Sequence, residues 1–462
     1  MRRVALCAMV LLGGCAHAPT PKSEPPEDRD TSPPDVGSPE EESTGTSTTP
    51  VLGMTRSIPA SVTVQGVGLD VASSLGIVPA HGSEPAVIFV AAEDSVEQGL
   101  PGTFILPGDL PRGVHPITDL WDGVSSIDEP FTPFASAGDV NRDGHLDAWV
   151  SEDLFHGPFL GRSLVAGTGV AVLGQDQGSP LAGDFDADGD GELDVLTSPG
   201  LMMGWVYHGP FAGTVEKKRT PSPNYTQFGQ GACFNSTLAG AVLPDALGPG
   251  HDAVSLGAGA WGGAGDCEPV AEVWDLNQPR GTLVRDADRV TAAYHNGVNA
   301  FQSVGDVDGD GVGDALFAGD ILGWVMAGPA DQDPSFTAGR EVFETVNGHV
   351  LRALGDVNGD GMIDLLGLWD AGGWDLNEGP RPEDFPVSGL VVLLSPFGDV
   401  VDMTRGVQFA TGSTGTARDY QGADLDGDGL ADIVRSNSAG DGSVLIWYAT
   451  DILAAAAAYP NL

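Results

Sequence analysis

The sequence predicts an all-β repeat fold of seven units, and three observations carry that reading. The first is an acidic pattern, Asp-x-Asp/Asn-x-Asp-Gly-x-x-Asp, that occurs five times. The second is the short apolar run after each copy, such as Ala148-Trp149-Val150 or Ile433-Val434. These runs are too brief for helices and sit among glycines, so they read as strands. The third is the spacing: with two degenerate copies included, the loops begin at residues 77, 139, 186, 245, 306, 356 and 424, a mean step of about 58 residues. With 67 glycines for its turns, such a chain suits a seven-bladed β-propeller, whose ring leaves only short protected edges. An open solenoid is the competing architecture.

The segments before the repeats come first in the chain. Met1-Arg2-Arg3 and the apolar stretch from Val4 to Leu12 read as a secretory signal over residues 1–14. Residues 15–55 are rich in Pro, Ser, Thr and Glu with scarcely an apolar side chain, so they cannot bury enough surface to fold and form a disordered linker. The propeller takes residues 56–462. No later apolar run approaches the roughly 20 residues that a membrane span needs. Leu12-Gly13-Gly14-Cys15 resembles the lipobox of bacterial lipoproteins. That resemblance implies a lipid on Cys15 as the sole membrane contact; an ordinary signal peptide with an incidental cysteine is the alternative. Ala16 stands where an inner-membrane retention signal would place Asp, which implies the outer membrane of a bacterial cell envelope, with the folded part extracytoplasmic.

The acidic loops carry the chemistry. A hard cation such as Ca²⁺ takes six to eight oxygens, and carboxylates at alternate positions of a tight loop converge on one point. The candidate ligands are Asp139, Asn141, Asp143, His145 and Asp147, then Asp186, Asp188, Asp190, Glu192 and Asp194. The third loop offers Asp306, Asp308, Asp310, Val312 and Asp314, the fourth Asp356, Asn358, Asp360, Met362 and Asp364, and the fifth Asp424, Asp426, Asp428, Leu430 and Asp432. The seventh-position residues share no side-chain chemistry, as expected where only the backbone carbonyl is used. Glycine at the sixth position, for example Gly144 or Gly361, permits the sharp turn. An EF-hand would close with Glu at the twelfth position, but Val150, Thr197, Phe317, Gly367 and Arg435 stand there. The second loop admits two registers, starting at Asp184 or at Asp186. The latter keeps Leu193-Asp194-Val195 in line with Leu146-Asp147-Ala148 and is preferred, while Asp184 and Glu192 both stay candidates.

Gly305-Asp-Val-Asp-Gly-Asp-Gly311 and Gly355-Asp-Val-Asn-Gly-Asp-Gly361 resemble the FG-GAP (VCBS-type) repeats of integrin α-subunit propellers and related bacterial proteins, over roughly residues 60–450. The resemblance implies a seven-bladed propeller rather than a solenoid, with about five Ca²⁺ ions that serve mostly to brace strand connections. The copies near 77–85 and 245–252 have lost their ligand positions and are not expected to bind calcium well. Most units also carry a later apolar run ending in a turn, as at Gly157-Pro158, Gly209-Pro210, Gly328-Pro329 and Ser395-Pro396. Cys233 and Cys267 are left once the signal and the lipid have used the other two cysteines, and in an oxidising compartment they are expected to form a disulfide. Two separate buried thiols are the alternative.

The net charge is −45, with only 20 basic residues, which opposes nucleic acid or an anionic membrane surface as a partner. No Gly-x-Ser-x-Gly elbow, His-Glu-x-x-His pattern or Walker loop is present. The expected function is therefore a monomeric, non-catalytic binding, adhesion or envelope scaffold module holding a protein or glycan at the cell surface. A lectin is the alternative, with Trp121, Trp261, Trp369 and Trp374 in loops where they could stack on sugars, and Trp149, Trp205, Trp274, Trp324 and Trp447 packing the strands. A propeller polysaccharide lyase or hydrolase is less favoured, because the loops account for nearly all closely spaced carboxylates.

Overall fold

The computed structural model describes residues 58–66, 71–92, 102–120, 126–127, 134–173, 179–198, 204–215, 225–228, 237–258, 270–280, 282–284, 291–294, 298–307, 309–319, 323–326, 342, 344–346, 348–369, 389–398, 400–403, 406–411, 420–437 and 442–458. Alternating apolar strands and tight glycine turns build consecutive, mainly antiparallel sheets, most of whose strands come from one local run of chain. The second, for example, runs Phe134–Gly138, Asp147–Val150, Asp153–Phe155 and Ala171–Leu173 from the inside outwards. Its register pairs Ser136 with Ala148 and Trp149 with Leu154.

The inner strands of successive sheets pack side by side in chain order. Val71–Val78 lies against Phe134–Gly138, which lies against Ser179–Phe185, followed by Thr237–Leu243, Val298–Gly305, Gly348–Gly355 and Tyr420–Ala423. Contacts of Asp432–Asn437 with Val71–Val78 bring the series back to its start. The fold is an all-β propeller. Among the described residues six sheets hold four or five strands and count as complete blades, one fewer than the seven the repeat predicts. A further sheet, Val298–Gly305, Asp314–Gly319 and Gly323–Met326, shows three strands. Residues 327–341, which follow its third strand in the sequence, lie outside the described residues.

Two devices protect the edges. The first is closure by both ends of the chain: Val62–Gln65 pairs antiparallel with Ser443–Trp447, so the earliest described strand completes the last sheet. The second is a latch. Ser163–Leu164, lying between the third and fourth strands of its own blade, pairs in parallel with Ser126–Ile127, the outer strand of the blade before. Gly213–Val215 does the same to Ala171–Leu173, and Leu283–Val284 to Tyr225–Phe228. Each latch gives the outermost strand a hydrogen-bonding partner, which removes a free edge that could template aggregation.

The core lies between neighbouring sheets. Phe89, Val87, Ala148, Val150 and Phe159 fill one such layer, Trp149, Val195, Trp205 and Tyr207 the next, and Leu196, Val254 and Trp274 another. Each large apolar side chain buried in this way contributes roughly 1.5–3 kcal/mol. Trp149, Trp205, Trp274 and Trp447 are all buried, as strand positions. Trp369 was expected in a loop; it ends the strand Asp364–Trp369, because the run Leu365-Leu366-Gly367-Leu368 carries the pairing with Gly389–Leu393 through to that residue. Trp121, Trp261 and Trp374 lie outside the described residues, as do the signal, the linker, Cys15, Cys233 and Cys267. The Ala-rich tail is a helix, Ala449–Ala458, that begins earlier than its alanine run and buries Ile452.

Candidate metal centres

The five loops share one hydrogen-bonded frame. The first Asp of each accepts the N–H of the sixth-position glycine, as in Asp139 from Gly144 (2.9 Å), Asp306 from Gly311 (2.9 Å) and Asp356 from Gly361 (2.7 Å). In the second loop Asp186 fills this place, accepting from Gly189, Asp190 and Gly191. The fifth residue accepts the N–H of the seventh, from Asp143 with His145 through Asp428 with Leu430. Gly144, Gly191, Gly311, Gly361 and Gly429 adopt φ between 83° and 89°, the left-handed region that this turn demands.

The ninth Asp works differently from the rest. Asp147, Asp194, Asp314, Asp364 and Asp432 are all buried. One oxygen accepts the N–H of the second loop residue: Val140, Ala187, Val307, Val357 or Leu425. Among the described residues, the other oxygen in four of the loops accepts an N–H from the corner after the third strand: Gly157, Gly209, Ser395 or Ala449. This carboxylate thus clasps the start of the loop to the point where the chain leaves for the outer strand. Glycine at two of these corners is set by space. A Cβ on Gly157 would lie 2.5 Å from the carbonyl oxygen of Leu146, and one on Gly209 the same distance from that of Leu193.

Oxygens converge where the pattern requires. Carboxylate oxygens of Asp186, Asp188 and Asp190 lie within 4.8 Å of one another, and so do those of Asp424, Asp426 and Asp432. In the first and fourth loops the third place is held by an amide, and Asn141 and Asn358 donate to Asp143 (2.9 Å) and Asp360 (3.1 Å). Ser395 Oγ adds a donor to both Asp360 and Asp364. Asp308 lies outside the described residues. The seventh-position side chains that can bond turn to neighbouring loops instead: His145 Nδ1 is 2.7 Å from Glu84, and Glu192 is 3.3 Å from Arg142, which also donates to the Gly191 carbonyl.

In the fifth loop the clustered carboxylates shift one another. Burial, with the Asp426 and Asp428 charges adding to it against the Ala449 and Leu425 N–H groups, pushes the Asp432 carboxyl up to about 7. Burial, then repulsion from Asp428 and Asp424, also raises Asp426. A divalent ion among these groups would reverse that tendency, since a bound cation is the largest local charge in such a site. The donor set of carboxylates, amide oxygens and tight-turn carbonyls suits Ca²⁺ better than Mg²⁺, which demands a near-ideal octahedron.

Among the described residues, the second loop differs from the others in having an arginine on its inner carboxylates. Arg280 donates to both Asp188 and Asp190, and His208 Nδ1 lies 3.1 Å from Asp188 and 3.1 Å from Asp194. Burial pushes the Asp188 carboxyl up, but Arg280 and His208 together outweigh it and leave it below the usual carboxylate range. Neither residue is among the ligands expected from the loop pattern. The repeated His-Gly-Pro at 156–158 and 208–210 was the available signal; in the first of these His156 Nδ1 lies 3.0 Å from Asp147.

No family model and no curated protein matches this chain. Among solved structures, the crystal structure of BBS1N in complex with ARL6DN, soaked with mercury, is similar over 80% of this chain and 90% of that chain, at 9% identity and a TM-score of 0.34.

Proposed function

We propose that this chain is a calcium-braced β-propeller of the FG-GAP type, held on a bacterial cell envelope through Cys15, that binds a protein or glycan without catalysing a reaction. One observation carries the reading. Five loops repeat one frame in which the first acid holds the turn, and in two of them further carboxylate oxygens gather beside it, those of Asp188 and Asp190 with Asp186 and those of Asp426 and Asp432 with Asp424. The three-stranded sheet is read here as the remaining blade of a ring of seven, because Val400–Asp402 pairs in parallel with Glu344–Val346 as the latches of other blades pair with an outer strand. In this reading calcium sets the connections between strands, and the scaffold presents its irregular segments to the partner.

The test is thermal. Protein treated with a chelator and then given millimolar Ca²⁺ melts at a higher temperature, since a ligand that binds only the native state adds about 2.7 kcal/mol per site at a hundred times its Kd. Absence of any shift overturns the calcium reading. His81→Ala, in the degenerate copy, leaves the shift unchanged, and a polysaccharide panel yields neither new reducing ends nor unsaturated products.

A further inference from the structure

We propose that His208, Asp188 and Asp194 form a mixed nitrogen–oxygen site for one borderline divalent metal ion of the Zn²⁺ class, which takes two of the second loop's carboxylates in place of calcium there and differs chemically from the oxygen-only sets of the other four loops. The three donor atoms lie within 4.8 Å of one another. His208 Nδ1 is 3.1 Å from Asp188 Oδ2 and 3.1 Å from Asp194 Oδ2. A tetrahedral ion with bonds of about 2.0–2.1 Å sets its donors roughly 3.3 Å apart, close to the spacing of His208 Nδ1 from each carboxylate. Calcium is a hard cation that takes oxygen, whereas imidazole nitrogen suits zinc and its neighbours.

The site is built rather than incidental. The side chains of His208, Asp194 and Asp188 are 1%, 0% and 11% exposed. His208 Nε2 sits 3.0 Å from Thr226 Oγ1, and Thr226 Oγ1 lies 3.5 Å from the Pro279 carbonyl. That chain fixes the ring so that Nδ1 faces the two carboxylates, as ligating histidines are commonly oriented through their second nitrogen. The Ala187 and Gly209 N–H groups hold Asp194 in place from the other side. An approach exists too: a polar groove of about 520 Å³, lined by Asp186, Asp188, Asp252, Asn277 and Gln278 among others, opens beside Asp188.

Arg280 competes for the same oxygen, because its Nε donates to Asp188 Oδ2. Its side chain is one-third exposed, so it can swing outward, and it acts as a latch that an incoming ion must lift. The first loop carries only part of this arrangement. His156 faces Asp147, but its ring is more exposed and the third place there is Asn141.

The experiment titrates Zn²⁺ against a colorimetric chelator, on metal-stripped protein and again in excess calcium, with Co²⁺ as a spectroscopic stand-in. One equivalent of zinc survives calcium, and Co²⁺ gives the visible bands of a low-coordinate nitrogen–oxygen site. His208→Gln abolishes that equivalent. Thr226→Val weakens it roughly 10–100-fold at unchanged stoichiometry, Arg280→Ala tightens it, and His156→Gln leaves it as it was. If His208→Gln fails to fold, the opposed shifts in Thr226→Val and Arg280→Ala decide the matter. A zinc equivalent that persists in folded His208→Gln, or none that survives calcium, overturns the proposal. Because the count is also made without calcium, failure of the calcium reading leaves this result independently legible.

Discussion

The segment Asp245–Asp252 and the loop Asp356–Asp364 begin and end alike but differ in the middle. In both, the last Asp holds an amide at the start, Asp252 that of Asp245 (2.9 Å) and Asp364 that of Val357 (2.7 Å). In both, the first Asp holds a glycine amide, Asp245 that of Gly250 and Asp356 that of Gly361. Between them one has Leu247-Gly248-Pro249 and the other Asn358 and Asp360. Turn closure therefore needs the two outer carboxylates, and the inner ones can be lost without losing the turn. The nine-residue pattern superimposes two functions: a hydrogen-bonded clasp, and an acidic surplus suited to a cation.

That division is broken most directly at the clasp. Asp364→Ala leaves the buried N–H groups of Val357 and Ser395 without their acceptor, and at roughly 1–3 kcal/mol for each it costs about 3–5 kcal/mol in calcium-free protein. Asp252→Ala, at a partly exposed residue, costs about 1 kcal/mol. Urea midpoints separate the two, and equal losses would show that the clasp is no stronger in the acidic loops. Next comes the corner that the clasp holds. Gly209→Ala drives a Cβ to 2.5 Å from a backbone carbonyl and costs about 1–3 kcal/mol. Gly161→Ala, where φ is 74° and nothing lies within 4 Å, costs only about 1 kcal/mol. Asp360→Ala sharpens the other half of the division: it reduces the calcium-induced rise in Tm while moving the calcium-free Tm far less than Asp364→Ala does.

What could be read from the sequence follows the same line between local and distant. The turn at each loop is set by residues within nine positions, so Asp186 rather than Asp184 aligns with the other loop starts, and the structure places Asp186 in that frame. The strands after the loops are legible for the same reason. The latches are not, because pairs as short as Ser163–Leu164 on Ser126–Ile127 have no periodicity to detect. Nor is the pairing of Val62–Gln65 with a strand near residue 445, or the contact of Arg280 with an acid 92 positions away. The blade count differs at one place: a spacing argument counts loops, whereas a complete blade also needs its outer strand, and among the described residues the sheet beginning at Val298 shows three strands. Trp369 was misplaced because a tryptophan beside Asp370 and Gly372 looks like a loop residue until the pairing partner is known.

The smallest expected effect lies at the ring closure, where Arg112 donates two hydrogen bonds to Asp451 on the C-terminal helix and Ser61 adds a third at 2.6 Å. Arg112 lowers the Asp451 carboxyl below its usual range, with burial opposing and Ser61 assisting. A depressed folded-state pKa adds stability that is present above the unfolded value near 4 and disappears as pH falls through the folded one. The pair is largely exposed, at 58% and 35%, so solvent screens it and Arg112→Ala costs about 0.5 kcal/mol at most near neutral pH. The difference between variant and parent then closes on acidification through the lowered pKa of the folded parent, below which Asp451 takes up a proton in both. A difference that stayed constant with pH would mean that Arg112 acts through packing over the Tyr448 ring, which its guanidinium covers at 5.3 Å. Comparing this closure with Asp364 sets the scale: the ring is joined at its seam mainly by backbone pairing and buried apolar contact, with the charges contributing last.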